Sequence, residues 1–150
     1  MPEPELRVAV RADIAGMHRV RLAVRENRLT SSVITEADYV PAIEATGRGW
    51  VIDEAGAVRG FAVGNAQTGK LWALFVDPWH EGRGFGRRLH DAMVSWLFAQ
   101  SQPRLPCLTL GTEANTRAQR FYEAAGWRRS GPGGRGEVAY ELRASDIIRA

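Results

Sequence analysis

Three glycines stand at alternate positions in the segment Glu81-Gly82-Arg83-Gly84-Phe85-Gly86. Glycine takes positive φ angles without strain and lets a ligand approach the main chain with no Cβ in the way. Just before this segment, Lys70 to Val76 is rich in aromatic and branched residues and reads as a buried strand, which Asp77-Pro78 ends. Just after it, Leu89, Met93, Trp96 and Leu97 fall on one face of a helix. A strand, a glycine turn and a helix in that order gather free N–H groups and the positive end of a helix dipole at one spot. That arrangement suits a phosphate or pyrophosphate. Arg83, Arg87 and Arg88 add positive charge there, and arginine meets phosphate oxygens with a planar fork. Taken alone, the turn fits equally a plain connection that needs flexibility.

Position removes two familiar phosphate folds. A dinucleotide turn follows the first strand and has an acidic residue about twenty positions later. Here the turn lies in mid-chain, and Ser101 to Arg104 contains no acid. A Walker loop needs Gly-Lys-Ser/Thr, and the single lysine is Lys70. The other chemistry-bearing residues are less telling. Tyr122 sits beside Phe121 on an apolar helical stripe, where an aromatic is ordinarily packing. Cys107, the only cysteine, falls in a buried strand pattern, reads as inert and can form no internal disulfide. His80 and His90 read as solvent-facing, and His18 has no partner at metal-ligand spacing, so no metal site is expected.

These residues need elements to hold them. Leu6 to Val10 alternates as a short strand, and Ile14, Met17, Val20 and Val24 follow helical spacing, with Asp13 near the helix start. Thr35 and Asp38 form a capping box for a second helix, in which Pro41 is tolerable near the first turns. Trp50 to Asp53 and Val58 to Val63 read as a hairpin turning at Gly56. Cys107 to Leu110 is a strand, and Asn115 is a good N-cap for a helix that Gly126 stops. From Trp127 strand character resumes, and the loop Gly131 to Gly134 leads to a last strand around Glu137 to Leu142. The order β-α-α-β-β-β-α-β-α-β-β predicts a mixed α/β (α+β) domain with one central βαβ unit.

Composition agrees with one domain spanning residues 1–150. A chain of 150 residues with 45% hydrophobic and 25% charged residues is ordinary for a soluble globular protein. No apolar run approaches the roughly 18 residues of a membrane span, and the start lacks a signal-peptide pattern, so neither membrane nor export is expected and a cytoplasmic location is the default. A formal charge of +3 does not argue for nucleic acid.

At this point the sequence resembles a known family. The run from Phe75 through Leu89 looks like the acetyl-CoA motif of the GNAT superfamily of N-acetyltransferases, Gln/Arg-x-x-Gly-x-Gly/Ala, with Gly84 and Gly86 matching. Asn115 to Trp127 is similar to that family's second motif, Asn-x-x-Ala-x-x-x-Tyr-x-x-x-Gly-Phe. The resemblance implies the GNAT fold, a mixed, mostly antiparallel central sheet flanked by helices. It implies acetyl-CoA as cosubstrate and an amine acceptor, a small molecule first and a peptide next.

In such a protein the pantetheine arm lies along the strand before the turn, which maps to Phe75 and Val76. The pyrophosphate lies on Glu81 through Arg87, namely Glu81, Gly82, Arg83, Gly84, Phe85, Gly86 and Arg87. Tyr122 is the implied general acid to the departing thiolate. Asn115 is implied to touch the arm, beside its reading as an N-cap, and Arg117 and Arg120 are within reach of the nucleotide phosphates. One departure stands out. Glu81 occupies the place of the family's Gln or Arg, so a carboxylate either faces the pyrophosphate or turns away onto an arginine. The general base is open between Glu26 and Glu113, both of which also read as surface charges. Acceptor choice is expected from Arg25 to Ala37 and from Gly131 to Gly136. A homodimer is expected to involve exposed aromatics on the last strands. A non-catalytic acyl-CoA-binding or sensor module is the alternative, and it would have no use for the acid. A toxin-like acetyltransferase acting on charged transfer RNA would want a stronger basic face.

Overall fold

Residues 3–24 and 34–148 are described by a computed structural model of the chain. Glu26 and the segment 25–33 of the expected acceptor region lie outside the described residues. Four strands form one antiparallel sheet in sequence order: β1 (Glu5–Val8), β2 (Gly47–Glu54), β3 (Ala57–Asn65) and β4 (Leu71–Val76). A second antiparallel sheet holds β5 (Cys107–Glu113), β7 (Glu137–Arg143) and β6 (Arg128–Pro132), with β7 in the middle. The helices are α1 (Ile14–Ala23), α2 (Glu36–Glu44), α3 (Phe85–Phe98), α4 (Arg117–Ala124) and a short α5 (Ala144–Ile148). The expected mixed, mostly antiparallel architecture is present, with α5 added at the end.

Strand alternation divides the first sheet between two cores. Trp50, Ile52 and Ala62 face α3 and join the side that holds Leu89, Met93, Leu97 and the second sheet. Val51, Phe61 and Val63 face the opposite way, against Met17 and Val20 of α1 and Tyr39 and Ile43 of α2. Burial on both faces makes β2 and β3 almost wholly apolar in mid-strand. The bidentate Arg7–Asp13 pair, at 2.8 and 2.9 Å, ties β1 to the start of α1, and Arg7 also reaches Asp53 at 3.0 Å. That arginine holds the Asp13 carboxyl below its usual range.

Several boundaries differ from the sequence reading. Pro41 is the sixth residue of α2 rather than a first-turn residue; it is exposed, and its own carbonyl still accepts from Ala45 at 2.9 Å. The N-cap of α4 is Thr116, whose hydroxyl accepts from the Gln119 N–H at 3.2 Å, and Asn115 turns into the left-handed region at φ +61° instead. Gly131 and Pro132 belong to β6, so the last loop begins at Gly133. Asp38 does accept from the Thr35 N–H at 2.7 Å, as the capping reading requires.

Among the described residues a single backbone bridge joins the two sheets. Lys70 and Thr109 form a parallel bridge, with Thr109 N–H donating to the Gly69 carbonyl at 3.0 Å. Beyond it β4 and β5 diverge. The edge of β4 that faces β5 therefore has no strand partner among the described residues, and a wedge opens between the sheets.

Candidate active site

The wedge is a cleft of about 570 Å³. One wall is β4 from Leu71 to Val76, and the other is β5 from Leu110 to Glu113. The turn after β4 and the first turn of α3 close one end, through Glu81, Gly82, Gly84, Phe85, Gly86 and Arg87. Tyr122 and Phe121 of α4 form part of the lining, as do Glu137 of β7 and Arg21 of α1.

Backbone geometry explains the turn. Gly82 and Gly84 have φ of +76° and +80°, with open space where a Cβ would stand. Gly84 caps α3, and the first helical bond runs from Arg88 N–H to the Gly84 carbonyl at 3.1 Å. The N–H groups of Phe85, Gly86 and Arg87 are thus left without helical acceptors at the mouth of the cleft. The expectation of positive φ does not hold at Gly86, which is helical. A Cβ there would meet the Phe121 ring at 3.6 Å and Val76 at 3.7 Å, ordinary contact, so its smallness widens the lining.

The side chains of the turn are arranged for one another. Glu81 bonds to Arg117, so its carboxylate is neutralised by α4 rather than left alone at the turn. Arg83 leans away from the cleft: its guanidinium pairs with Glu54 at 2.6 and 3.0 Å and lies 4.6 Å over the Phe85 ring. Arg83 and Arg59 together pull the Glu54 carboxyl down to about 2. Arg87 lines the cleft, with Asp91 at 3.1 Å one helical turn on. Asn115 and Arg120 are exposed and do not line it.

Tyr122 is only 7% exposed, and its ring packs edge-on against Phe121 and Trp127 at 5.4 and 5.7 Å. Its hydroxyl has no hydrogen-bond partner among the described residues, and burial pushes the phenol pKa up. The phenol is therefore in its protonated form around neutral pH. Behind Tyr122 lies His90, which the sequence reading placed in solvent. It is 2% exposed: Nε2 accepts from Trp127 Nε1–H at 2.9 Å, Nδ1 lies 2.9 Å from Asp91, and the Phe121 ring sits edge-on. Accepting at Nε2 requires the neutral ring, and burial lowers its pKa accordingly. His80 lines the cleft and lies 3.2 Å from Arg83.

Two carboxylates line the far wall. Glu113 was expected as a candidate base; Glu137 was not, although the two are direct partners across β5 and β7. Cys107 is half-buried at the other end of β5, and burial raises its thiol pKa. No cluster of three or more metal-ligating side chains occurs among the described residues. No helix among them is long and apolar enough to cross a membrane. The expected dimer aromatics are absent from the last described strands, since Trp127 is buried and the most exposed aromatic is Trp79, at 90%, beside the turn.

The acetyltransferase (GNAT) family model matches residues 17–127. The chain belongs to that family. A mycothiol acetyltransferase of Beutenbergia cavernae is 34% identical over 83 residues, which are 52% of this chain and 27% of that protein. The chain thus spans about a quarter of the length of that curated relative. Among solved structures, an N-acetyltransferase of Staphylococcus aureus Mu50 matches 95% of this chain and 99% of its own at TM-score 0.77 and 17% identity. A Salmonella typhimurium protein solved with its cofactor acetyl-CoA matches 95% and 94% at TM-score 0.75 and 19% identity. At such identities the likeness is one of fold.

Proposed function

We propose that the protein transfers an acetyl group from acetyl-CoA to a primary amine, of a small molecule or a peptide, by direct attack within a ternary complex. The observation that carries this reading is the unpaired edge of β4, which ends at the free amides of α3 while a buried, protonated phenol lines the same cleft. An extended pantetheine arm adds to such an edge as a strand would, through the main chain of Phe75 and Val76. The pyrophosphate then meets the amides of Gly84 to Arg87 and the helix dipole. Arg87 is the side chain best situated to assist; Arg83 serves by fixing the turn to Glu54.

The step itself is balanced. The amine nitrogen attacks the thioester carbonyl, the C–N bond forms, and the C–S bond breaks. Tyr122 gives its proton to the sulfur as the C–S bond breaks, so that no free thiolate has to leave, and the phenolate left behind takes a proton back from water. The proton lost by the amine leaves through water to the Glu113–Glu137 side of the cleft. Main-chain N–H groups along β4 polarise the carbonyl. A panel of amines incubated with acetyl-CoA, with free thiol followed over time, tests the reading. Thiol release that depends on one amine class supports it. Tight acetyl-CoA binding with no amine-dependent release would establish the alternative of a non-catalytic acyl-CoA-binding module.

A further inference from the structure

Arg21 is the most anomalous side chain in the cleft. It lies in the last turn of α1, 2% exposed, and it lines the cleft together with Val24, Ile34, Trp72 and Phe75. Its Nε–H donates to the Tyr39 hydroxyl at 3.0 Å, and its guanidinium carbon lies 4.7 Å from the Trp72 ring centroid and 5.0 Å from that of Phe75. Its Nη2 is buried and has no hydrogen-bond partner, and among the described residues no carboxylate pairs with it. A guanidinium does not shed its charge under ordinary conditions. Two aromatic faces and one hydroxyl compensate a buried cation only in part, and an orphan N–H donor adds to the cost.

The fold constructs this arrangement deliberately. The pairing of β3 with β4 slips by one residue: Val63 faces Ala73 while Gly64 faces Leu71, which leaves Trp72 as an extra residue. The bulge sends Trp72 to the same side as Ala73 and Phe75, against α1 and α2. There it meets Tyr39 edge-on at 5.0 Å and stacks on Arg21. A hydrophobic residue in place of Arg21 would pack against the same rings without the cost of burying a charge.

The pyrophosphate is not positioned to be the anion that Arg21 lacks among the described residues. Gly82 to Arg87 stand at the N-terminus of α3, which packs on the opposite face of the sheet from α1. The second ligand can bring it. We propose that the acceptor is a primary amine bearing a carboxylate, an amino acid in the broad sense, whose carboxylate pairs with Arg21 Nη2 while its amine faces the thioester. Glu113 and Glu137 across the cleft suit the ammonium end of the same molecule. A planar carboxylate matches the fork of a guanidinium and brings a single charge into an otherwise apolar corner.

This inference rests on the acetyl-transfer reading, and the experiment separates the two. Thiol release from acetyl-CoA is measured for free amino acids, their carboxamides and the corresponding decarboxylated amines. With the wild-type protein the acids are expected to exceed the amides in kcat/KM by about tenfold or more. Arg21→Met is expected to abolish that preference and Arg21→Lys to keep part of it. In parallel, thermal shift is measured with N-acetyl amino acids and with their amides, which need no turnover. The N-acetyl acids are expected to raise the Tm of the wild type and not that of Arg21→Met. Should Arg21→Met fail to fold, the wild-type contrast between acid and amide decides in both assays. Equal or better turnover of the amides, or a preference that survives in Arg21→Met, overturns the proposal. Thermal shift by N-acetyl acids without thiol release from any amine would overturn acetyl transfer and leave the carboxylate site standing.

Discussion

Replacing Tyr122 by phenylalanine removes one oxygen atom and leaves a ring of the same outline. The ring keeps its edge contacts with Phe121 and Trp127, so packing is preserved. Because the hydroxyl has no hydrogen-bond partner among the described residues, its loss strands no other group. The Tm is therefore expected to stay within about 2 °C, the scale of a change below 1 kcal/mol in a chain of this length. Turnover is another matter. Loss of a positioned general acid slows the step by about 100- to 10,000-fold, equivalent to about 3–5 kcal/mol of barrier. Because burial raises the phenol pKa, the acid stays protonated throughout the working range. The alkaline limb of the wild-type kcat profile should accordingly not belong to Tyr122, and Tyr122→Phe should lower the plateau without shifting the acidic limb. The assay is thiol release at saturating acetyl-CoA, with melting curves and KM for acetyl-CoA in parallel. Unchanged kcat at saturation would refute the role of the phenol. A fall in kcat matched by a large fall in Tm would refute the claim that the hydroxyl is structurally idle.

Three other perturbations follow from the same geometry. Glu81→Gln removes a carboxylate that Arg117 already neutralises, so acetyl-CoA binding should change by less than about twofold in calorimetry; a tightening of about fivefold, roughly 1 kcal/mol, would mean that the carboxylate still repels the pyrophosphate. Gly84→Ala forces φ +80° on a residue with a Cβ, costing about 1–2 kcal/mol, and should weaken acetyl-CoA binding more than it lowers the Tm, since the strain sits in the turn itself. His90 is neutral and its pKa is lowered by burial, so the unfolded chain binds the proton more readily. Its contribution is present above about 6.5 and is lost as pH falls toward the folded pKa. The Tm should drop between pH 7 and 5.5, and His90→Gln should flatten that slope; an unchanged slope would sink the assignment.

The readable parts of this protein are those in which a local run of residues dictates the backbone. The turn Glu81 to Gly86 and the segment Asn115 to Trp127 are of that kind, and so is the hairpin of β2 and β3. What escaped depends on partners far away in sequence. Arg83 looks like a phosphate ligand beside its glycines, yet Glu54, at the end of β2, holds it at 2.6 Å. His90 looks exposed until Trp127 and Phe121 close over it. A signal did exist: His90 continues a helical stripe with Val94 and Leu97, and a histidine on such a stripe is buried. Asn115 and Thr116 exchange roles by one residue because both can cap, and local sequence does not say which of them turns left-handed.

Arg21 follows the same logic with more consequence. It lies four residues after Met17 and next to Val20, both fully buried, so the helical period alone puts a cation on an apolar face. An arginine in that register either pairs with an acid or waits for one. The bulge at Trp72 shows that, among the described residues, rings rather than paired carboxylates surround it. A buried charge that no carboxylate among the described residues pairs with has its use, on our proposal, in what binds beside it. On the two proposals together the cleft would offer two anion sites: main-chain amides at the start of α3 for the cosubstrate's phosphates, and a single guanidinium on the α1 face for an acceptor carboxylate. On the proposed mechanism the acetyl group passes between them, beside Tyr122.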